Sequence, residues 1–344
     1  MRMFKIGLIL LLASFVSCAP MPAFAASPAM SVGVSGEVVM TIKRGDESAE
    51  YKFHNLVVNQ GLDSLMGATI SPNWNKFYSG VIVSSNNAVP NATDTGVTGG
   101  LGFKTFDGSE SSTAISTVAP YQIQYEQKAT FAVGAVVGNV CKIATMMGGG
   151  TASLSAPIST SALVRVGGVP ACVSVLATDQ LIVVYRYNFV VEADISGTST
   201  VTVDGTPTSF AWSARPQNIR TVASTGSAGS ARVEAFGLSA AGGDKASRFT
   251  AANSFCVVTV AVCPGTIAGY TGVPVCGPYI NGTFSKSCKF SIPTGTAYAS
   301  IGMWSMNSGP ISWQFIYSAA PMAKGADQVF EQSITFSIAA IPDP

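Results

Sequence analysis

Charge is the first thing the sequence is short of. Asp, Glu, Lys and Arg make up 11% of its 344 residues, against about a quarter in an ordinary soluble domain. The 19 basic and 18 acidic side chains nearly cancel, so no field of one sign exists to gather nucleic acid or an anionic membrane surface. Histidine is scarcer still. His54 is the only one, which excludes a His-rich metal site and any mechanism that needs two histidines. No amphipathic pattern runs longer than about three helical turns, so the strand–helix alternation of an α/β fold is missing. Beyond residue 25 no apolar run is long enough for a transmembrane helix, and no repeat of fixed period stands out.

What is present is apolar side chain and turn chemistry. Hydrophobic residues reach 47%, ample to bury against the entropy of ordering the chain. Ser, Thr, Asn and Gly supply the polarity. Segments 31–43, 51–58 and 77–84 read as strands, as do 121–133, 140–144, 161–166, 172–176 and 198–203. The run 181–191 is the strongest of them. Further strands are expected at 255–262, 283–292, 298–303, 311–318 and 332–341. Between the second and third strands the period changes: Leu62, Leu65 and Met66 stand at i, i+3 and i+4, predicting one short helix that ends at Gly67. Residues 85–118 read as a long loop or a pair of weak strands. Together these predict an all-β chain of antiparallel β-sandwich domains with one short helix after the second strand.

The Pro-, Ser- and Gly-rich stretch 214–232 is expected to be a connection. It divides an N-terminal sandwich domain, 30–213, from a C-terminal one, 233–344. Residues 1–25 have the shape of a secretory signal peptide: Arg2 and Lys5, an apolar run over 6–16, and small residues at Ala23 and Ala25. Met30 is a second candidate start, which would make 1–25 a miscalled beginning.

Setting Cys18 aside leaves six cysteines: Cys141, Cys172, Cys256, Cys263, Cys276 and Cys288. An even count suits an oxidised, exported chain, and all six are candidate disulfide cysteines, with 15 possible connectivities. Zinc would want tighter Cys-x₂₋₄-Cys spacing. No metal and no cofactor is expected.

Chemistry has few places to reside. His54 lies inside a strand segment and reads as a structural histidine. Glu192 and Asp194, two apart on a strand, have a spacing that suits glycoside hydrolysis or Ca²⁺, although a solvated strand end is the commoner use. Asp107, Glu110 and the loop around them are likewise candidates for weak Ca²⁺ binding, though without EF-hand spacing. Gly148-Gly149-Gly150 lacks the Lys-Ser/Thr of a P-loop. Asn281-Gly282-Thr283 matches a glycosylation sequon. Trp212, Trp304 and Trp313 are candidates for a sugar-stacking platform or, more commonly, for core packing. No catalytic residues are assigned, and a non-enzymatic role is expected.

Three stretches are more specific. The segment 53–65, Phe-His-Asn-Leu-Val-Val-Asn-Gln-Gly-Leu-Asp-Ser-Leu, resembles an N-L-V-x-N-x-G-L-x-x-L opening. Gly138-Asn139 within 131–143, followed by Thr178-Asp179-Gln180-Leu181-Ile182-Val183-Val184-Tyr185, is similar to paired G-N-I-x-E-V-G and D-E-Q-L-x-V-x-Y segments. Trp313-Gln314-Phe315, Pro321-Met322-Ala323-Lys324 and the run 332–338 resemble a P-x-P-K … L-T-L-x-F-x-I closing strand. In order and rough spacing these are similar to tailed-phage structural proteins of the tail or tail-fibre kind. The chain departs from them at Cys141-Lys142-Ile143-Ala144, where an acidic residue and V-G are usual, and in its six cysteines and signal-like start. The resemblance implies a place in a virion as a homo-oligomer among other virion proteins, with a host-surface receptor as a further partner. It implies no catalytic residues. The alternative is an exported, disulfide-stabilised bacterial surface or adhesion protein of the periplasm or cell surface.

Overall fold

The computed structural model describes residues 29–66, 76–108, 111–116, 119–191, 195–203, 206–219, 275–292, 294–295, 298–301, 303–308, 311–317 and 322–341. The expected strand at 255–262 lies outside them, as do residues 1–25 and 220–232. In chain order the elements are β1 (Ala29–Arg44), β2 (Glu47–Val57), α1 (Asn59–Leu65), β3 (Lys76–Ser84), β4 (Gly100–Thr105), β5 (Ser111–Ser116), β6 (Tyr121–Thr130), β7 (Gly138–Val140) and β8 (Lys142–Gly148). Next come β9 (Ile158–Leu163), β10 (Arg165–Val166), β11 (Val169–Pro170), β12 (Val173–Val175), β13 (Gln180–Val191), β14 (Ile195–Val203) and β15 (Thr206–Ile219). The last are β16 (Val275–Cys276), β17 (Ser285–Ile292), β18 (Tyr298–Ile301), β19 (Met303–Ser308), β20 (Ile311–Tyr317), β21 (Met322–Lys324) and β22 (Phe330–Ala340). The fold is all-β with α1 as the single helix among the described residues.

Alternation sets the core. Along β13 every second residue from Leu181 to Val191 is buried, the signature of a strand with one face on the interior. Its antiparallel neighbours are β1 on one side and β6 on the other. The far edge of β1 is shared. Residues 36–44 pair with β2, and residues 29–34 pair with β22. The β1/β22 ladder is parallel, the one exception among the described strands to the antiparallel pairing that the sequence predicted. A parallel neighbour needs no hairpin, and nothing in a local pattern announces one.

β2 turns the corner. Up to Asn55 it pairs with β1, and at Leu56 and Val57 it pairs with β9, leading into the layer β9-β8-β3-β4. Strands that pass between layers are how sandwich corners are made. Aromatic rings fill the space where the layers meet: Tyr78 of β3 stacks on Tyr187 of β13 at 4.5 Å, and Phe77 meets the same ring edge-on at 4.9 Å. Such ring pairs add about 0.5–1.5 kcal/mol each beyond area burial.

All seven residues of β8 are buried, so the second layer is covered on both faces. Its outer side carries a separate apolar cluster of Val58, Ile82, Ala144, Met146, Ala156 and Ile158, against which Val97 and Ala152 pack from the loops. The stretch 85–118, expected as a long loop or a pair of weak strands, is a loop over that layer as far as Gly99, followed by the two short strands β4 and β5.

Strands from both sides of 214–232 share sheets: β22 lies beside β1, and β20 lies beside β15. Residues 214–219, expected in the connection, belong to β15. β14, β15, β20 and β19 form a four-stranded sheet of their own. No helix among the described residues is long and apolar enough to cross a membrane.

Candidate functional site

The segment that carries the first resemblance folds into a buried hub. Val58 is extended, and its N–H donates to the Ser159 carbonyl at 3.0 Å. The Asn59 N–H donates to Ala92 O at 2.7 Å. The Gln60 side chain reaches two carbonyls, Thr95 at 2.9 Å and Ile158 at 2.6 Å. These bonds tie the start of α1 to the 85–99 loop and to β9. At Gly61 a methyl group would stand 2.3 Å from the Ser159 carbonyl oxygen, so glycine is required by close backbone approach. Leu62, Leu65 and Met66 enter the main core.

Asp63, on the same turn, faces the C-terminal part of the chain. Its Oδ1 accepts from the Tyr279 hydroxyl at 2.6 Å and from the Gly282 N–H at 2.7 Å. Gly282 has φ +82, which glycine adopts without strain. Burial, reinforced by the Asp63 carboxylate, pushes the Tyr279 phenol well above its ordinary range.

A second polar cluster lies between the layers. The buried Tyr185 hydroxyl bonds the Asn55 amide and the Thr160 hydroxyl. Thr160 bonds Thr145 at 2.7 Å, and Thr145 bonds Ser159 at 2.8 Å. Burial pushes the Tyr185 phenol up, so it stays neutral. A hydroxyl becomes a nucleophile when a base beside it takes the proton. This network is made of hydroxyls and one amide, and contains no base. Its chemistry is to fix the spacing of β2, β8, β9 and β13.

The second resembling segment, 178–185, is held by charge. Asp179 has a fully buried carboxylate. It accepts from Arg44 Nε at 2.9 Å, from Arg44 Nη2 at 2.7 Å and from the Leu176 N–H at 2.8 Å. The Arg44 hydrogen bond, followed by that of Leu176, holds its pKa down at about 2. Arg186, further along β13, bridges Glu126 at 2.8 Å and Glu37 at 2.6 Å, three residues in one cross-strand row.

Cys141 and Cys172 form a disulfide with Cα atoms 4.1 Å apart. Cys276 and Cys288 are register partners on β16 and β17. Cys256 and Cys263 lie outside the described residues. His54 is exposed on β2, opposite Glu37 in register. Asp107 stands 4.0 Å from Lys104, while Glu110, Glu192 and Asp194 lie outside the described residues. Gly148 ends β8, and Gly149, at φ +114, starts the turn. Asn281 is exposed in the turn that presents Gly282. Among the described residues no three His, Cys, Asp or Glu side chains are grouped to hold a metal ion.

The three tryptophans share a face of the four-stranded sheet. Trp212 pairs with Tyr317, Trp304 with Phe315, and Trp313 with Met306 and Pro216, and partners in an antiparallel ladder occupy the same side. Ile195 is on that side too, through its pairing with Ala214, and it packs against the main core.

Two buried lysines escaped the sequence reading. Lys142 is 5% exposed and Lys286 is 4% exposed. Burial lowers the pKa of the Lys142 ammonium, with the Asp94 charge opposing the shift. The available signal was a lone charge inside the apolar run 140–144. Comparison with family models, with curated proteins and with solved structures finds nothing that matches this chain.

Proposed function

We propose that this chain is a non-enzymatic structural component of a tailed-phage virion, of tail or tail-fibre type. It acts through protein–protein assembly, as a homo-oligomer beside other virion proteins, and in host attachment. The observation that carries the reading is the use made of the resembling segments. Residues 59–63 and Asp179 spend their polar groups on internal bonds that join loops, layers and the C-terminal strands. Residues used in that way stiffen a building block, as assembly through a surface needs, and the functional reading itself rests on the resemblance of these segments.

One observation favours a second reading, an exported surface or adhesion protein. The Cys141–Cys172 disulfide is of a kind that persists in oxidising compartments and is rare in a reducing cytosol. Intact mass and N-terminal sequence separate the two readings, taken from purified phage particles and from the host periplasm. Recovery from particles, with a start near Met30, is the result expected of a virion part. A chain starting at Ala26, found in the periplasm and missing from particles, overturns the virion reading and leaves the exported one.

A further inference from the structure

The observed disulfide follows a rule that a second cysteine pair also meets. Cys141 and Cys172 continue the β7/β12 register, in which Val140 opposes Val173 and Asn139 opposes Ser174. The Cys141 N–H donates to Ser84 O, and its carbonyl accepts from Val164 N–H, so neither backbone group bonds across to Cys172. Opposed residues of this non-hydrogen-bonded kind bring their Cα atoms to about 4.5 Å, the close end of the range a disulfide spans.

Cys276 of β16 opposes Cys288 of β17 in an antiparallel ladder. The next pair is joined by the Gly277 N–H donating to Ser287 O at 3.0 Å. Hydrogen-bonded and non-bonded pairs alternate along an antiparallel ladder, so Cys276 and Cys288 occupy a non-bonded position, as Cys141 and Cys172 do. On its other side Cys288 opposes Ile334, and Lys286 opposes Phe336, on β22. Ile334, Phe336 and Lys286 are all buried, so the ladder beside the cysteine pair is held against the core.

We infer that Cys276 and Cys288 form a second cross-strand disulfide. It closes the loop that carries Tyr279 and Gly282, the two partners of Asp63. The bond therefore shapes the segment that docks on α1. Its formation joins the two sulfurs, releases two protons and passes two electrons to an oxidant. A disulfide supplied by exchange is sufficient, with glutathione disulfide reduced to two glutathione thiols. The inference rests on neither functional reading, because it needs only the ladder and an oxidant.

The test uses the full chain, folded and equilibrated with glutathione disulfide. Free thiols are then alkylated under denaturing, non-reducing conditions, and the digest is read by mass spectrometry. The expected result is a peptide pair joining Cys276 to Cys288 that disappears on reduction. In Cys276→Ser, Cys288 becomes alkylatable while the Cys141–Cys172 link remains. Alkylation of both Cys276 and Cys288 in the oxidised wild-type chain overturns the inference, as does a link from either to Cys256 or Cys263.

Discussion

Arg44 and Asp179 meet through two parallel hydrogen bonds, from Nε and Nη2 to the two carboxylate oxygens, at 2.9 and 2.7 Å. The pair locks the end of β1 to the turn before β13. Asp179 has a folded-state pKa of about 2, below the roughly 3.9 of an unfolded aspartate. Between those values the unfolded chain binds more protons, so this contribution is complete above about pH 4 and is lost as pH falls toward 2. Denaturant midpoints measured across that window should fall with pH in the wild type. In Asp179→Asn they should start lower and show a shallower slope. An unchanged slope in the variant would show that other carboxylates set the acid limit.

Asp63 joins α1 to a turn more than two hundred residues later. Asp63→Asn weakens both acceptor interactions and should cost about 1.5–3 kcal/mol, the range for hydrogen bonds to charged groups. Tyr279→Phe removes one of them and should cost less. The double variant should be less destabilised than the sum of the two, because they share one bond. Strict additivity in urea unfolding would mean that the Tyr279–Asp63 bond carries no coupling.

Gly61 tolerates no side chain, because the nearest atoms to an added methyl belong to the Ser159 backbone. Gly61→Ala should therefore destabilise by about 1–3 kcal/mol, as overpacking does, despite alanine's better helix propensity. Gly45→Ala is the useful contrast. Its site has open space but φ +58, so only conformational strain acts there. Thermal unfolding of both variants should give the larger loss at Gly61.

Tyr185→Phe removes the hydroxyl that Asn55 and Thr160 share. Leaving buried polar groups unpaired should cost about 1–3 kcal/mol. Replacing Asn55 with Leu in the same background should recover part of that loss if the stranded amide is its source. No recovery by equilibrium unfolding would place the cost in Thr160 and its neighbours.

Reducing the Cys141–Cys172 bond should lower stability by about 2–4 kcal/mol, since it closes a span of 31 residues. Cys141→Ser isolates this bond and should show that loss without reductant, which would also open the inferred Cys276–Cys288 link. Equal denaturation midpoints before and after reduction would count against a stapling role.

How much of this was legible depends on how local each cause is. β13 could be read from alternation, and α1 from Leu62, Leu65 and Met66, because those patterns are written within a few residues. β8 could be followed only to Ala144. Its remaining residues are buried because the 85–99 and 149–157 loops cover them, and a loop's path leaves no periodic mark. The partner of Cys141 was one of five candidate cysteines, decided by a ladder between β7 and β12. Asp63 stood in the resembling segment 53–65 with no role assigned to it, and its partners lie more than two hundred residues further along the chain. The resembling segments were visible as motifs, yet their use as internal ties required coordinates.

The parallel seat of β22 beside residues 29–34 of β1 has a consequence for the order in which the protein is built. During synthesis the first strand emerges long before the strand that completes it. Until then the early half of β1 offers an open row of backbone donors and acceptors on one side, the kind of edge that recruits other chains. Closure must wait for contacts of very high sequence separation, which fold slowly. A nascent or truncated chain lacking 330–340 is therefore the form most exposed to aggregation, and a chaperone that shields residues 29–34 would act at the right place and time.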